Sequence, residues 1–296
     1  METKFCFRVD IDTWGGIHKG LPRCIELAKE YSLPITYYLS LGEYATGKNI
    51  FRIVKNKETI RGKIPVWKRN YWKDLFRGVL LPTKKIDEKT KFKLQEYESK
   101  EFSEFHPHGF NHVAWSRDFD KFNEYKTSEY LDSAIEEYTK IFNYKPKANA
   151  APNFVINRFY LKMLPQKKFE FASDFIYHEP FYLTIDSSEN QQFKSIVQLP
   201  VTEETIENLV IKGRNKSQIV EFYKKRFQEQ IDRGSTYICM YSHAIYEPIK
   251  LQNIVEEIFK LVIKLDIEPL THYEYYEQRK KLPTIDINSI KQERKT

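Results

Sequence analysis

The sequence predicts an α/β domain with a parallel sheet, of a length that favours a (β/α) barrel. Three observations lead there. Strand-like and helix-like stretches alternate along the chain, the pattern of a parallel sheet with helices outside it. The 296 residues show no repeat and no Gly/Ser linker, so one large domain is expected, and that length favours a barrel. Acids and histidines stand where strand-like stretches end, the place where barrels carry their chemistry.

Taken in order, residues 5–12 read as a strand and 22–32 as a helix, with Pro22 in its first turn and Ile25, Leu27 and Ala28 facing inward. Residues 35–41 form a β-branched and aromatic strand, 101–105 a short strand, and 128–142 a strongly amphipathic helix. Weaker strands at 147–151 and 169–173 flank a helix near 157–168. A strand at 196–201 precedes a helix at 217–233, closed by Gly234 in the left-handed position that glycine suits. A strand at 237–242 and a helix at 251–265 follow. The catalytic domain is expected to span 1–279, with a polar tail over 280–296.

Composition narrows the class. The chain is 41% hydrophobic and 15% aromatic, enough for a large core. Its mean hydropathy is −0.61, and no apolar run approaches the roughly 20 residues of a membrane-spanning helix. The first residues lack the apolar stretch of a signal peptide, so a cytoplasmic chain is expected. Cys6, Cys24 and Cys239 are odd in number, far apart and without a CxxC pair, which predicts inert thiols rather than disulfides or a cysteine metal site.

The net charge of +7 is unevenly spread. Residues 52–85 hold eleven basic residues against Glu58 and Asp74, a local excess of +9. Such a patch implies an anionic partner: nucleic acid, membrane surface or phosphorylated substrate. Trp67, Lys68, Arg69 and Trp72 interleave rings with cations, as interfacial segments do, which favours an anionic membrane. A helical hairpin packed on the barrel with a solvated basic face is the other reading. No helix-turn-helix, zinc-finger or RNA-motif signature is visible, so no nucleic acid is expected.

Side chains alternate along a strand, so Arg8, Asp10 and Asp12 share one face of the first strand, a costly arrangement unless paired or metal-bound. Asp10 and Asp12 thus read as a base and metal-ligand pair at a strand's C-terminal end. His108 and His112 are four apart, the spacing that puts two histidines on one face of a helical turn to share a metal. With Asp12 they make an Asp-His-His set that leaves positions open for water and substrate. His106, facing another way, reads as supporting or structural. His243 ends a late strand and supplies the general acid such a reaction needs, while Asp174, after the strand at 169–173, is placed to orient it.

These motifs, in this order, resemble the polysaccharide deacetylase family with its NodB-like domain, and within it the branch that deformylates undecaprenyl-phosphate-linked amino sugars. The segments that carry the likeness are Phe7-Arg8-Val9-Asp10-Ile11-Asp12-Thr13, Gly20-Leu21-Pro22-Arg23, Phe51-Arg52-Ile53-Val54-Lys55, His112-Val113-Ala114-Trp115, Gln198-Leu199-Pro200-Val201-Thr202 and Tyr241-Ser242-His243-Ala244. The resemblance implies a distorted (β/α) barrel with seven or eight strands, and one divalent cation, zinc foremost with nickel, cobalt, iron or manganese as alternatives, held by Asp12, His108 and His112. It implies Asp10 as base, His243 as acid and Asp174 as its tuning partner. It also implies removal of an acetyl or formyl group from a polyprenyl-phosphate-linked amino sugar at the cytoplasmic face of the inner membrane, in service of lipid A modification. A soluble polysaccharide or peptidoglycan deacetylase is the alternative within the family. Many members carry an arginine in the third motif that pairs with the base. Here Ala150-Ala151-Pro152-Asn153-Phe154-Val155 has none, and Arg8 is the residue expected to supply that charge.

Overall fold

The computed structural model describes residues 2–47, 72–98, 101–186 and 192–290. Their strands are β1 (Lys4–Ile11), β2 (Ile35–Leu39), β3 (Ser103–Pro107), β4 (Ala148–Asn149), β5 (Phe171–Ala172), β6 (Phe181–Asp186), β7 (Gln192–Gln198), β8 (Tyr237–His243), β9 (Glu268–Pro269) and β10 (Thr284–Asp286). One parallel sheet runs β3-β2-β1-β8, with β9 also on β1, and a second runs β10-β6-β7-β5-β4. At each seam between them backbone bonds cross, from Ala150 N–H to the Pro107 carbonyl and from Thr202 N–H to the Cys239 carbonyl, both 3.0 Å. Following these bonds gives the cyclic order β1-β2-β3-β4-β5-β7-β8. Among the described residues seven strands thus follow the order of the expected barrel, but at both seams continuous ladders give way to a few bonds and no strand pairing closes it. β6 lies antiparallel to β7 and outside this ring, with β10 parallel to it.

The two-residue period of β1 divides its labour. Phe5, Phe7, Val9 and Ile11 belong to the large apolar cluster that also holds Leu27, Ala28, Tyr223, Phe227, Ile258 and Phe259 from the surrounding helices. The other face carries Cys6, Arg8 and Asp10, all buried. β2 repeats the scheme, with Ile35, Tyr37 and Leu39 in that cluster and Thr36 and Tyr38 buried on the other face. The largest apolar cluster thus lies between strands and helices, while the side opposite holds buried polar groups and a smaller apolar cluster of Cys6, Phe171, Val197, Leu199 and Cys239.

Where β1 begins, the helix His272–Gln278 closes the fold. Thr271 caps it, accepting from Glu274 N–H while the Glu274 carboxylate accepts from Thr271 N–H. His272 is fully buried, with Nδ1 2.8 Å from the Tyr38 hydroxyl, Nε2 3.3 Å from the Tyr237 hydroxyl and its backbone N–H donating to Thr36 Oγ1 at 2.8 Å. Burial pushes its imidazole down to about 3.

Most expected elements fall within a few residues of their observed bounds. The helix Glu124–Phe142 starts four residues early because Asn123 accepts the Lys126 N–H as its cap. The helix Glu88–Glu98 and strand β6 are additions. The segment expected as a polar tail contributes β10, and Ile285, Ile287 and Ile290 pack against the second apolar cluster. The three cysteines are buried and free. No helix among the described residues is long and apolar enough to cross a membrane.

Candidate metal centre and active site

β1 and β8 deliver the first groups. Asp10 pairs with His243 in the ladder between them, and Asp12 follows one residue past the strand's end. Asp10 is gripped from two positions upstream: Arg8 Nε donates to Oδ1 at 2.7 Å and Nη2 to Oδ2 at 2.8 Å. The guanidinium also donates to the Ser173 carbonyl at 2.5 Å and to Ser173 Oγ at 3.0 Å. The rings of Tyr38, Phe154 and Tyr241 surround it at 4.9, 5.2 and 5.7 Å. Burial raises the Asp10 carboxyl, yet the charges of Arg8 and then His108 outweigh it and hold the group below the usual carboxylate range. The cation paired with Asp10 is thus Arg8 of its own strand.

The loop opposite is shaped for this contact. Asn153 and Phe154 both adopt left-handed backbone angles, φ 51° and 57°, which side-chain-bearing residues rarely accept. That turn brings Phe154 over Arg8.

His108 and His112 reach Asp12 by different routes. His108 leaves β3 with its N–H on the Leu39 carbonyl at 2.8 Å, and its Nδ1 lies 2.9 Å from the Ala150 carbonyl. A carbonyl can only accept, so Nδ1 carries the proton and Nε2 keeps its lone pair, 3.4 Å from Asp12 Oδ1. The chain then turns at Gly109, φ 64°, where a Cβ would meet the Trp115 ring at 2.6 Å. His112 opens the helix His112–Asp118, with Nε2 3.4 Å from Asp12 Oδ2. The expected single helical turn is therefore replaced by a strand end, a glycine turn and a helix start. The juxtaposition it was meant to explain is present.

These residues fit a divalent cation. Their donor atoms lie within 4.8 Å of one another, and Asp12 Oδ1 is buried with no hydrogen-bond partner among the described residues. Separations of 3.4 Å are too long for hydrogen bonds, but bonds of about 2.1 Å to a shared tetrahedral ion set neighbouring donors roughly that far apart.

His243 faces the same centre, its Nε2 3.9 Å from Asp12 Oδ2. Behind it stand two carboxylates that sequence reasoning missed: Glu207 Oε2 and Glu247 Oε2 lie 3.7 and 3.8 Å from Nδ1. Asp174, expected to orient His243, is bonded to other groups. Its Oδ1 accepts from Ala151 N–H at 2.8 Å and from the Tyr160 hydroxyl at 2.9 Å, and its Oδ2 from Gln198 at 3.3 Å. Burial raises it to about 6. Asp174 thus braces the third-motif loop. His106 is buried with Nε2 on Glu104 Oε1 at 2.7 Å, and Glu104 also accepts the Tyr273 N–H at 3.0 Å, which makes the pair a structural tie.

Trp67, Lys68 and Arg69 lie outside the described residues, and Trp72 is described only as the start of the short helix Trp72–Phe76. The described end of the basic segment is packed. Asp74 is fully buried and accepts from Gly15 N–H at 2.8 Å and from Arg77 Nε at 3.2 Å. Gly47 N–H reaches the Arg77 carbonyl at 2.9 Å, and Arg77 and Lys84 sit over the Trp14 ring at 5.8 and 6.0 Å. Phe76, Val79 and Leu80 remain 40%, 41% and 72% exposed.

No family model matches the chain. Over 83 residues it is 28% identical to the 4-deoxy-4-formamido-L-arabinose-phosphoundecaprenol deformylase of Shewanella sediminis, a match covering 27% of this chain and 27% of that relative. Two solved structures share its fold across nearly the whole length. A polysaccharide deacetylase from Mycobacterium smegmatis superposes with TM-score 0.62 at 13% identity, covering 94% of this chain and 90% of its own. One from Pseudomonas aeruginosa PAO1 gives TM-score 0.62 at 13% identity over 93% and 90%.

Proposed function

We propose that this chain, built on the polysaccharide deacetylase fold, is a metal-dependent hydrolase that removes an N-acyl group, acetyl or formyl, from an undecaprenyl-phosphate-linked amino sugar. The observation that carries the reading is the Asp12, His108 and His112 donor set standing beside an Asp10 held ionised by Arg8.

Asp12 Oδ1 or Oδ2, His108 Nε2 and His112 Nε2 would hold one divalent cation. Zinc is the first choice, and nickel, cobalt, iron and manganese suit the same donors. When bound, the cation polarises an amide carbonyl and acidifies water. Asp10 takes the proton of the attacking water, and the two Arg8 N–H groups keep its carboxylate charged and in place. His243 gives its Nε2 proton to the departing sugar amine, which is too basic to leave without it. The products are a free amino sugar and acetate or formate.

The Shewanella relative's name and the basic stretch at 52–85 together favour a lipid-linked substrate met at an anionic membrane, on the cytoplasmic face of the inner membrane. A polysaccharide or peptidoglycan deacetylase is the second reading, favoured by the fold shared with polysaccharide deacetylases. The test incubates zinc-loaded protein with formamido- and acetamido-sugar phosphoundecaprenol and, separately, with N-acetylated oligosaccharides. Release of formate or acetate from the lipid-linked sugars alone supports the first reading, and release from oligosaccharides alone supports the second. Release from neither would overturn both.

A further inference from the structure

The geometry points to Glu207 and Glu247 as the pair that positions His243, a role that rests on the deacylase reading of this site. His243 is the last residue of β8, and the chain turns at once into the short helix Glu247–Lys250. That turn folds Glu247 back, fully buried, so that its Oε2 accepts the His243 backbone N–H at 2.9 Å and lies 3.8 Å from the same residue's Nδ1. One carboxylate therefore addresses both the main chain and the ring of the histidine. Glu207 arrives from a separate element, the first turn of the helix Ile206–Ile211, and is 7% exposed with its Oε2 3.7 Å from Nδ1. The imidazole stands between this pair and Asp12, whose Oδ2 is 3.9 Å from Nε2.

Charge decides what such a setting does. Distances of 3.7 and 3.8 Å are too long for hydrogen bonds to the ring, so the pair acts through its field and its shape. A neutral imidazole has one N–H, and two carboxylates behind Nδ1 draw that proton to their side. Nε2 then faces the metal centre, and it carries the proton for the departing amine when the ring is doubly protonated. Rotation of the ring would turn Nε2 onto the glutamates and away from the substrate. Positioning by two glutamates replaces positioning by Asp174, whose oxygens are engaged by Ala151, Tyr160 and Gln198.

The test reads the ring directly and then the reaction. Nitrogen-15 NMR of the full chain, metal-free and zinc-loaded, should find His243 as the Nδ1–H tautomer. Glu207→Gln and Glu247→Gln should each shift it toward Nε2–H. In the zinc enzyme each should lower kcat on the order of 10–100-fold, as lost orienting partners do, with KM and zinc content unchanged. Glu207→Asp, shorter but charged, should keep more activity than the isosteric Glu207→Gln, whereas a role in packing alone gives the reverse order. An unchanged tautomer in both glutamine variants would overturn the proposal. So would zinc content falling from two to one in Glu247→Gln, which would make Glu207, His243 and Glu247 a second cation site. Should Glu247→Gln fail to fold, the Glu207 variants decide alone. A wild-type chain without deacylase activity sinks the proposed function, while the tautomer measurement still judges the positioning.

Discussion

Arg8 and Asp10, two residues apart on β1, form a buried bidentate ion pair at 2.7 and 2.8 Å, so the strand carries the carboxylate proposed as base and the cation that holds it on one face. Replacing Arg8 by Met strands a buried charge, which costs about 3–5 kcal/mol where a buried pair is broken. Urea unfolding should show that loss. Arg8→Lys keeps a point charge but not the planar fork, and should lose less stability while still lowering kcat. Equal stability of Arg8→Met and wild type at pH 7 would contradict the pairing.

The proposed metal ligands should be separable from the proposed acid and base. Elemental analysis of Asp12→Ala and His112→Ala should show the cation lost, because each removes one of three donors. Full occupancy in both would rule out the assignment.

Asp10→Asn and His243→Ala should behave differently. Both are expected to retain metal while turnover falls on the order of 10²–10⁴-fold, the range for a missing general base or acid. Metal loss in His243→Ala would make that histidine a ligand and move the acid elsewhere.

His272 gives the fold a pH signature. With its buried value near 3 against an ordinary 6.5, it stabilises fully above pH 6.5 and progressively less as pH falls toward 3, since the unfolded chain alone takes up the proton. Asp174, raised to about 6, acts in the opposite direction, contributing fully below pH 3.8 and losing its contribution as pH rises through 6. The measurement is therefore a difference. His272→Gln should be less stable than wild type at pH 7, and the gap should narrow by about 2 kcal/mol at pH 5, at 1.36 kcal/mol per pH unit. A gap independent of pH would refute the neutral, buried imidazole.

The basic segment is tested on vesicles. Changing Trp67 and Trp72 to Ala with Lys68 and Arg69 to Glu should weaken co-sedimentation with anionic liposomes, each lost cation costing about 1 kcal/mol. Metal content and activity on a short, water-soluble substrate should persist. Loss of that activity too would mean that the segment is a structural part of the barrel, as its end at Asp74 is.

The sequence was most readable where one period governs. The two faces of residues 5–12 follow from alternation alone, and they foretell both the packing of Phe5, Phe7, Val9 and Ile11 and the pairing of Arg8 with Asp10. His108 and His112 were identified for a reason that does not operate. Four-residue spacing suggests a helix, yet the turn at Gly109 and the cap at Asn111 bring them together. Glu207 was invisible because nothing in its spacing announces a partner, whereas Glu247 stands four residues after His243, the same spacing as His108 and His112, and was passed over. Glu207 meets His243 only once the helix start after β7 lies beside the end of β8. Asp174 shows the complementary case: a lone acid after a short strand says nothing of its partners, and its bonds to Ala151, Tyr160 and Gln198 were not legible in the sequence.

The division of β1 between packing and chemistry has a consequence for how such a chain can change over time. Phe5, Phe7, Val9 and Ile11 anchor the strand against the helices, while Cys6, Arg8 and Asp10 look the other way. Side chains on opposite faces of a strand point into different surroundings, so a substitution in the second set leaves the packing partners of the first in place. A lineage can therefore retune the carboxylate, its cation or the group beneath them while the anchoring residues stay as they are. An insertion of a single residue has no such freedom: it exchanges the two sets, sending phenylalanines to the catalytic side and an aspartate into the apolar core. Along this strand, replacement is an open route to new substrates and a shift in length is a closed one.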